Sequence, residues 1–179
     1  MEDRVKAAGE LGFIGIIIQL AGLLLGGVAT LAGYVVELVA LRRLSEALNN
    51  QAIWDNALRG VIVAIIGAGV LIITILGLIF GWSLLLPVHS LPWVALVVIP
   101  IGLWLLAYFF VVLAGKYYRD AYYELAKSSG VSDFQEAAKW TWWGALLFIV
   151  IIGGILQLVG RVFALLGYDR LRGWKPRQQ

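Results

Sequence analysis

The sequence predicts an all-α integral membrane protein, a four-helix bundle made of two similar transmembrane hairpins with amphipathic connecting loops. Two observations support this prediction. First, 61% of the 179 residues are hydrophobic and 14% are charged, whereas a soluble domain carries about 25% charged residues. Second, Asp, Glu, Lys and Arg are missing from residues 11–36, 60–115 and 140–160. One helical crossing needs about 20 apolar residues, so these runs predict four crossings, two of them in the longest run.

The first predicted helix covers about residues 11–41 and is interrupted only by Glu37. As one helix it would rise about 46 Å, which exceeds the hydrocarbon thickness of about 30 Å. The sequence leaves open whether this helix tilts, projects beyond the bilayer or breaks at Gly26 and Gly27. Small residues recur along one face at steps of three and four, which predicts close helix packing in lipid. This predicted packing face comprises Gly12, Gly15, Gly22, Gly26, Ala29 and Gly33.

The other predicted helices follow from the two remaining uncharged runs. The second covers about residues 60–86 and the third about residues 93–115, with Pro100 inside it. The segment Pro87–Pro92, which contains His89, is predicted to be a tight turn, because two prolines in six residues end one helix and delay the next. The fourth helix is predicted from Trp140 to about residue 168, followed by a polar, basic tail over residues 169–179.

Two polar connections, residues 41–60 and 116–140, resemble each other. Glu46 matches Glu124 at an offset of 78, and Asp55 matches Glu136 at an offset of 81. This similarity predicts one membrane domain over residues 1–179 with two hairpin repeats, about 11–86 and 93–168; two unrelated interfacial loops are the alternative. Four crossings would place both connections on one membrane face and both termini on the other. Each face would carry seven Lys and Arg residues, so the positive-inside rule predicts no orientation.

Five polar residues in or beside the predicted crossings are the candidate site residues: Gln19, Glu37, Thr74, Gln157 and Arg161. An ionisable group inside a membrane is by default a hypothesis for a functional site. Helix packing or anchoring is one interpretation, and the handling of a proton, an ion or a solute is the other. Glu37 and Arg161 are expected near opposite membrane faces, so we expect no pairing between them. Gln19 and Gln157 are expected to form a hydrogen bond between the first and fourth helices.

The composition excludes several classes of site. The chain has no Cys and a single His, which excludes disulfides and thiolate metal ligands and disfavours a histidine metal cluster. No phosphate-binding loop and no nucleophile motif occurs. We therefore expect no catalytic, cofactor or metal site and no enzyme activity. The net charge of +3 arises from short basic flanks, so nucleic acid is not an expected partner.

A resemblance to a known family rests on the first connection and on the glycine-rich first helix. The residues that carry it are Leu41, Leu44, Ser45, Glu46, Asn49, Asn50, Ile53, Ala57 and Leu58, with Gly12 and Gly15 before them and Phe134, Ala137 and Ala138 in the second connection. The chain resembles a family of small archaeal and bacterial multi-pass membrane proteins known as a domain of unknown function. The resemblance covers nearly the whole chain and implies no activity and no site residues.

The function predicted from the sequence is non-enzymatic. We expect a multi-pass protein of the cell membrane, or of a membrane-derived envelope or vesicle, that packs with copies of itself or with a membrane-protein partner in a structural, self-assembling or accessory role. The alternative is a small-solute or proton-coupled transporter or channel, because duplicated hairpins can create a site at the membrane midplane.

Overall fold

The computed structural model describes residues 1–25, 27–85, 93–150 and 152–175. Within these ranges the chain is helical and contains no strand, which confirms the predicted all-α class. Four helices, α1, α3, α4 and α6, are long and apolar enough to cross a membrane. The elements in chain order are α1 (Glu2–Leu25), α2 (Gly27–Ala47), α3 (Gln51–Leu85), α4 (Trp93–Ser129), α5 (Asp133–Leu146), a 3-10 turn (Leu147–Val150) and α6 (Ile152–Arg172).

The segment predicted as one first helix forms two helices, α1 and α2, that pack against each other in opposite directions. A Cβ atom on Gly15 would lie 2.8 Å from the backbone nitrogen of Glu37, and one on Gly33 would lie 2.6 Å from that of Gln19. Glycine is therefore required at both positions for the backbones to approach this closely. Of the possibilities left open, the break is confirmed, and Gly26 itself lies outside the described residues.

The predicted fourth helix is likewise two helices, so the expectation of one continuous helix from Trp140 to about residue 168 is wrong. After the 3-10 turn, α6 folds back along α5. A Cβ atom on Gly144 would lie 2.8 Å from the backbone nitrogen of Gln157, and one on Gly160 would lie 3.1 Å from that of Thr141. Glycines on both arms remove the steric barrier to this close packing and so allow α6 to lie against α5.

The middle hairpin consists of α3 and α4 and is much longer than the other two. The aromatic side chains of Tyr118 and Phe110 on α4 pack over Gly60 and Gly67 on α3. Pro100 lies within α4, as predicted, and removes one backbone donor there. The predicted turn Pro87–Pro92 with His89 lies outside the described residues. The outer parts of α3 and α4 expose large apolar side chains, among them Ile65, Ile72, Ile73, Val98, Ile101 and Phe109.

All six helices meet at one end of the molecule, where the hydrophobic core lies. Trp174, just after α6, donates its indole N–H to the carbonyl of Ser129 in the second connection at 2.8 Å. Near the N-terminus, Gly9 packs against Leu171. We call this the polar end: the two connections together with the N-terminus and the described end of the chain near Trp174. Among the described residues, the predicted placement of the terminal segments on the opposite face from the connections is therefore wrong, because both outer segments turn back on themselves.

The two connections touch each other at the polar end through Asn50. Its amide nitrogen donates to Glu124 Oε2 at 3.0 Å and to Ser128 Oγ at 2.8 Å. Its side-chain oxygen accepts from the backbone N–H of Ala52 at 3.1 Å and so helps to begin α3. Asn49 has a left-handed φ of 50°, which Asn tolerates better than most residues. The Asn49-Asn50 pair thus ends one helix, starts the next and joins the two connections.

Candidate functional site: a buried glutamate–arginine centre

The candidate site is a cluster of polar side chains where the three hairpins meet. Glu37 lies on α2, Gln19 on α1, Tyr122 on α4, and Arg161 and Tyr168 on α6. The close approach of α1 and α2 at their glycines brings Gln19 beside Glu37. The side chain of Glu37 is 2% exposed and that of Arg161 is 13% exposed. A carboxylate and a guanidinium from two different hairpins are therefore shielded together from solvent.

Each carboxylate oxygen of Glu37 accepts hydrogen bonds from two side chains. Oε2 accepts from Arg161 Nη1 at 2.8 Å and from Gln19 Nε2 at 2.7 Å. Oε1 accepts from the hydroxyl of Tyr122 and, at 3.4 Å, from that of Tyr168. A buried carboxylate is tolerated when its charge is paired and its lone pairs are occupied, and Glu37 meets both conditions.

The guanidinium of Arg161 is held by aromatic residues as well as by Glu37. Arg161 Nη1 also donates to the hydroxyl oxygen of Tyr122 at 2.9 Å. Its Cζ lies 4.8 Å from the ring centroid of Tyr34 and 5.4 Å from that of Tyr118, within the range of cation–π attraction. The ring of Tyr118 also packs over Gly60, so α3 lies at the same depth as the centre. The centre therefore links all three hairpins and carries no net charge.

Two predictions about these residues are wrong. Glu37 and Arg161 were expected near opposite membrane faces, but both outer hairpins have their open ends at the polar end, so the two side chains pair. The predicted hydrogen bond between Gln19 and Gln157 is absent from the described structure, where the amide nitrogen of Gln19 donates to Glu37. The helices that carry the two glutamines, α1 and α6, do pack together.

Thr74, the remaining candidate residue, lies away from the centre. It is buried within the α3/α4 hairpin, and its hydroxyl donates to the carbonyl of Val70 in its own helix at 2.8 Å. It lies 14 residues beyond Gly60, which corresponds to about 21 Å along α3. The hydrogen bond of Thr74 is therefore local to α3.

The glycines of the predicted packing face take part in two different contacts between helices. Gly15, Gly22 and Gly33 lie inside the α1/α2 hairpin, whereas Gly12 faces the ring of Tyr168 on α6. Ala29 is half-buried on α2.

The predicted site residues do not include the four tyrosines that surround the charged pair, Tyr34, Tyr118, Tyr122 and Tyr168. One signal was present in the sequence. Arg161, Ala164 and Tyr168 are spaced at three and seven residues and so share one face of α6. Tyr118 and Tyr122 are four residues apart and likewise share a face of α4. A charged residue and tyrosines at helical spacing indicate a polar interface between packed helices.

A cleft of about 410 Å³ opens beside the centre, between the α1/α2 hairpin and α6. Gln19 is buried at this cleft, and its side-chain oxygen has no hydrogen-bond partner among the described residues. Within the same described ranges, no group of three or more His, Cys, Asp or Glu side chains could hold a metal ion. The residues lining the cleft are Gln19, Leu20, Thr30, Tyr34, Gly154, Ile155, Gln157, Leu158 and Arg161.

Comparison with known families identifies the group to which the chain belongs. Residues 29–162 match the family described as "Protein of unknown function (DUF996)". The chain belongs to this family. The resemblance expected from the sequence is thereby confirmed. A protein of Methanocaldococcus jannaschii, described as uncharacterised, is 29% identical over 169 residues, which cover 94% of this chain and 93% of that protein. No solved structure matches the chain.

The part of this DUF996 protein that matches the family contains most of the centre. Residues 29–162 include Glu37, Tyr122 and Arg161, together with the tyrosines that flank the guanidinium. Gln19 and Tyr168 lie outside the matched range. The ion pair and its central tyrosine thus lie in the family region, whereas α1 and the end of α6 complete the site from outside it.

Proposed function

We propose that this DUF996 protein is a non-enzymatic structural protein of the membrane whose shape favours a curved bilayer. The observation that carries the proposal is the unequal length of the three hairpins on the membrane side of the glutamate–arginine centre. Six helices meet at the polar end, whereas only α3 and α4 continue far beyond the centre.

The lengths favour one crossing hairpin and two hairpins that enter halfway. Beyond the depth of Gly60, α3 continues for 25 residues to Leu85, which corresponds to about 38 Å. From Glu37 to Gly27, α2 rises about 15 Å, and α6 rises about 14 Å from Ile152 to Arg161. The hydrocarbon layer is about 30 Å thick. Although α1 and α6 are long enough to cross, they reach that length only by including their charged ends.

This arrangement places unequal protein area in the two leaflets. A helix about 10 Å in diameter occupies about 80 Å² in cross-section. Six helices in the leaflet at the polar end therefore occupy about 480 Å², and two helices in the other leaflet occupy about 160 Å². An inclusion that is wider in one leaflet acts as a wedge. We therefore expect the membrane to be convex on the side of the polar end.

The charges favour one orientation of this wedge. No Lys or Arg lies in residues 60–115, and the described Lys and Arg residues lie at the centre or towards the polar end. Cytoplasmic segments of membrane proteins carry an excess of Lys and Arg. We therefore place the polar end on the cytoplasmic side. The equal division of Lys and Arg expected from four crossings does not apply, because the outer segments turn back.

Single-cysteine labelling tests the half-depth insertion. Because the chain has no native Cys, each variant carries a single reactive thiol. Val28→Cys lies near the tip of the first hairpin and Phe148→Cys near the tip of the third, both at exposed positions. Arg42→Cys marks the polar end, and Phe80→Cys lies about 30 Å beyond Gly60 on α3. In sealed liposomes, a membrane-impermeant maleimide should label Arg42→Cys from one side, Phe80→Cys from the other, and the two tip variants from neither. Labelling of Val28→Cys from the far side would contradict half-depth insertion.

Vesicle sorting tests the curvature. The purified protein, offered vesicles of small and large diameter, should be enriched per unit of lipid in the small ones. Val28→Lys places a charge at the exposed tip, where burial at mid-depth costs about 2.5–3.5 kcal/mol, so the hairpin should withdraw and the enrichment should fall. Val28→Leu is the matched control and should sort like the wild type. Equal partition of the wild type between the two vesicle sizes would refute the curvature proposal.

Packing with further copies forms part of the same proposal, because wedges at high density bend a membrane more than isolated ones. Gly69, Gly77 and Gly102 on the crossing hairpin have no atom within 4 Å of their Cβ positions, which leaves room for a neighbouring helix. Native mass spectrometry of the protein in lipid discs measures the number of copies that associate. A single monomeric species at every protein density would contradict self-assembly.

Transport is the second proposal, and one observation favours it. The cleft reaches Arg161 and Gln19, both of which bond to the buried acid Glu37. If Glu37 takes up and releases a proton during transport, Glu37→Gln should abolish proton-coupled flux in liposomes while the protein remains folded. Unchanged flux in this variant would contradict proton transport through Glu37 and would leave this residue with a structural role.

A further inference from the structure

The buried side chain of Gln19 has one polar atom without a hydrogen-bond partner among the described residues. Its Nε2 donates to Glu37 Oε2 at 2.7 Å. The opposite orientation of the amide would place its oxygen against a carboxylate oxygen, so the orientation is determined by Glu37. Gln19 Oε1 is therefore left without a donor among the described residues, although the residue is only 3% exposed. Leaving a buried acceptor unpaired is costly, which indicates that a further group supplies the donor.

The cleft beside Gln19 suits a molecule with an apolar body. Its volume of about 410 Å³ falls within the usual range for ligand sites. Leu20, Ile155 and Leu158 line its walls, and it follows α6 from Arg161 to Gly154, a distance of about 10 Å. These walls belong to the uncharged runs 11–36 and 140–160, on the hydrocarbon side of the centre. A ligand can therefore enter from the lipid without crossing water.

The charges around the cleft favour an uncharged ligand. Arg161 lines the cleft, but its guanidinium already faces Glu37 and two aromatic rings. Glu37 is likewise occupied by donors on both oxygens. An anionic or cationic head group would have to compete with an existing ion pair in a medium of low dielectric constant.

We propose that this cleft binds a neutral lipid alcohol, whose hydrocarbon chain lies between the α1/α2 hairpin and α6 and whose hydroxyl donates to Gln19 Oε1. Gln157 and Thr30 line the same cleft and supply further polar atoms for the hydroxyl oxygen. The inference requires insertion in a membrane but does not depend on the curvature of that membrane.

A photo-labelling experiment with two matched probes tests this site. The full-length protein in liposomes is irradiated with a long-chain alcohol that carries a diazirine in its chain, and in parallel with the methyl ether of the same alcohol. The alcohol can donate to Gln19 and the ether cannot. We expect the alcohol to label the α1 and α6 peptides at the cleft about five- to tenfold more than the ether. Equal labelling by the two probes would overturn the proposal and assign the acceptor to water.

Two tryptophan variants of α6 control for position. Leu158→Trp fills the cleft and should reduce labelling by the alcohol to the level of the ether, whereas Val162→Trp lies outside the lining and should leave it unchanged. Undiminished labelling of Leu158→Trp would also overturn the proposal. Gln19→Leu should make the two probes equivalent. If that variant does not fold, the tryptophan pair still decides, because neither changes a bond to Glu37.

Discussion

Replacement of Arg161 by Met tests whether the glutamate–arginine centre holds the hairpins together. Methionine keeps an apolar side chain of similar length but removes the cation that lies 2.8 Å from Glu37. The carboxylate then stays buried with only hydroxyl and amide donors, from Tyr122, Tyr168 and Gln19. Breaking a buried pair by removing one partner costs about 3–5 kcal/mol. Because the two side chains are 13% and 2% exposed, solvent screening does not reduce this value appreciably.

The assay is reversible unfolding of the protein in detergent, followed by tryptophan fluorescence. We expect Arg161→Met to lower the free energy of unfolding by about 3–5 kcal/mol. Adding Glu37→Gln should recover part of this loss, because the unpaired charge is then gone, with a coupling energy of about 2–3 kcal/mol. Arg42→Met is the matched control, since its pair with Glu46 is exposed, and it should cost about 1 kcal/mol or less.

Two results would refute this reasoning. If Arg161→Met cost no more than Arg42→Met, the pair would contribute no more than an exposed one. If the double variant were as unstable as the sum of the two single variants, Glu37 and Arg161 would act independently. Either result would mean that the packing of glycines and tyrosines alone holds the hairpins together.

Three further predictions use the same unfolding assay. Gly33→Ala should lower the free energy of unfolding by about 1–3 kcal/mol, because its Cβ would meet the backbone of α1 at 2.6 Å. Gly102→Ala, with open space around it, should be neutral or stabilising by up to about 1 kcal/mol, and equal effects of the two variants would show that the hairpin tolerates separation. Tyr122→Phe should lower the free energy of unfolding by about 1–3 kcal/mol, because the hydrogen bonds of its hydroxyl to the centre are lost. Tyr123→Phe, at an exposed position, should have no measurable effect, and a similar loss of stability in both variants would contradict a role for the Tyr122 hydroxyl. Asn50→Ala should cost about 1–2 kcal/mol by separating the two connections and removing a helix cap, and an unchanged stability would show that this contact is dispensable.

The two polar connections, residues 41–60 and 116–140, were well predicted from the sequence, because one helix ends and the next begins within each of them. The path of the outer segments was not predicted. The Asn49-Asn50 pair and the Ser128–Gly130 stretch end helices because their residues compete locally with helical hydrogen bonding or adopt left-handed φ. In contrast, an uncharged run of 26 residues fits either one tilted crossing or two arms of a half-depth hairpin. The division into repeats of about 11–86 and 93–168 stays a prediction, since each half contains three helices.

The sequence by itself determined that this protein is helical and suited to a membrane, because composition and uncharged runs are local properties that need no knowledge of contacts. It also identified Glu37, Arg161 and Gln19 as polar residues worth explaining. Only the tertiary structure decided that Glu37 and Arg161, which are 124 residues apart, form a pair. That pairing depends on the reversal of two hairpins, and each reversal depends on glycines meeting the backbone of the opposite arm. Such contacts are set by packing between distant segments, so periodicity along the chain does not reveal them.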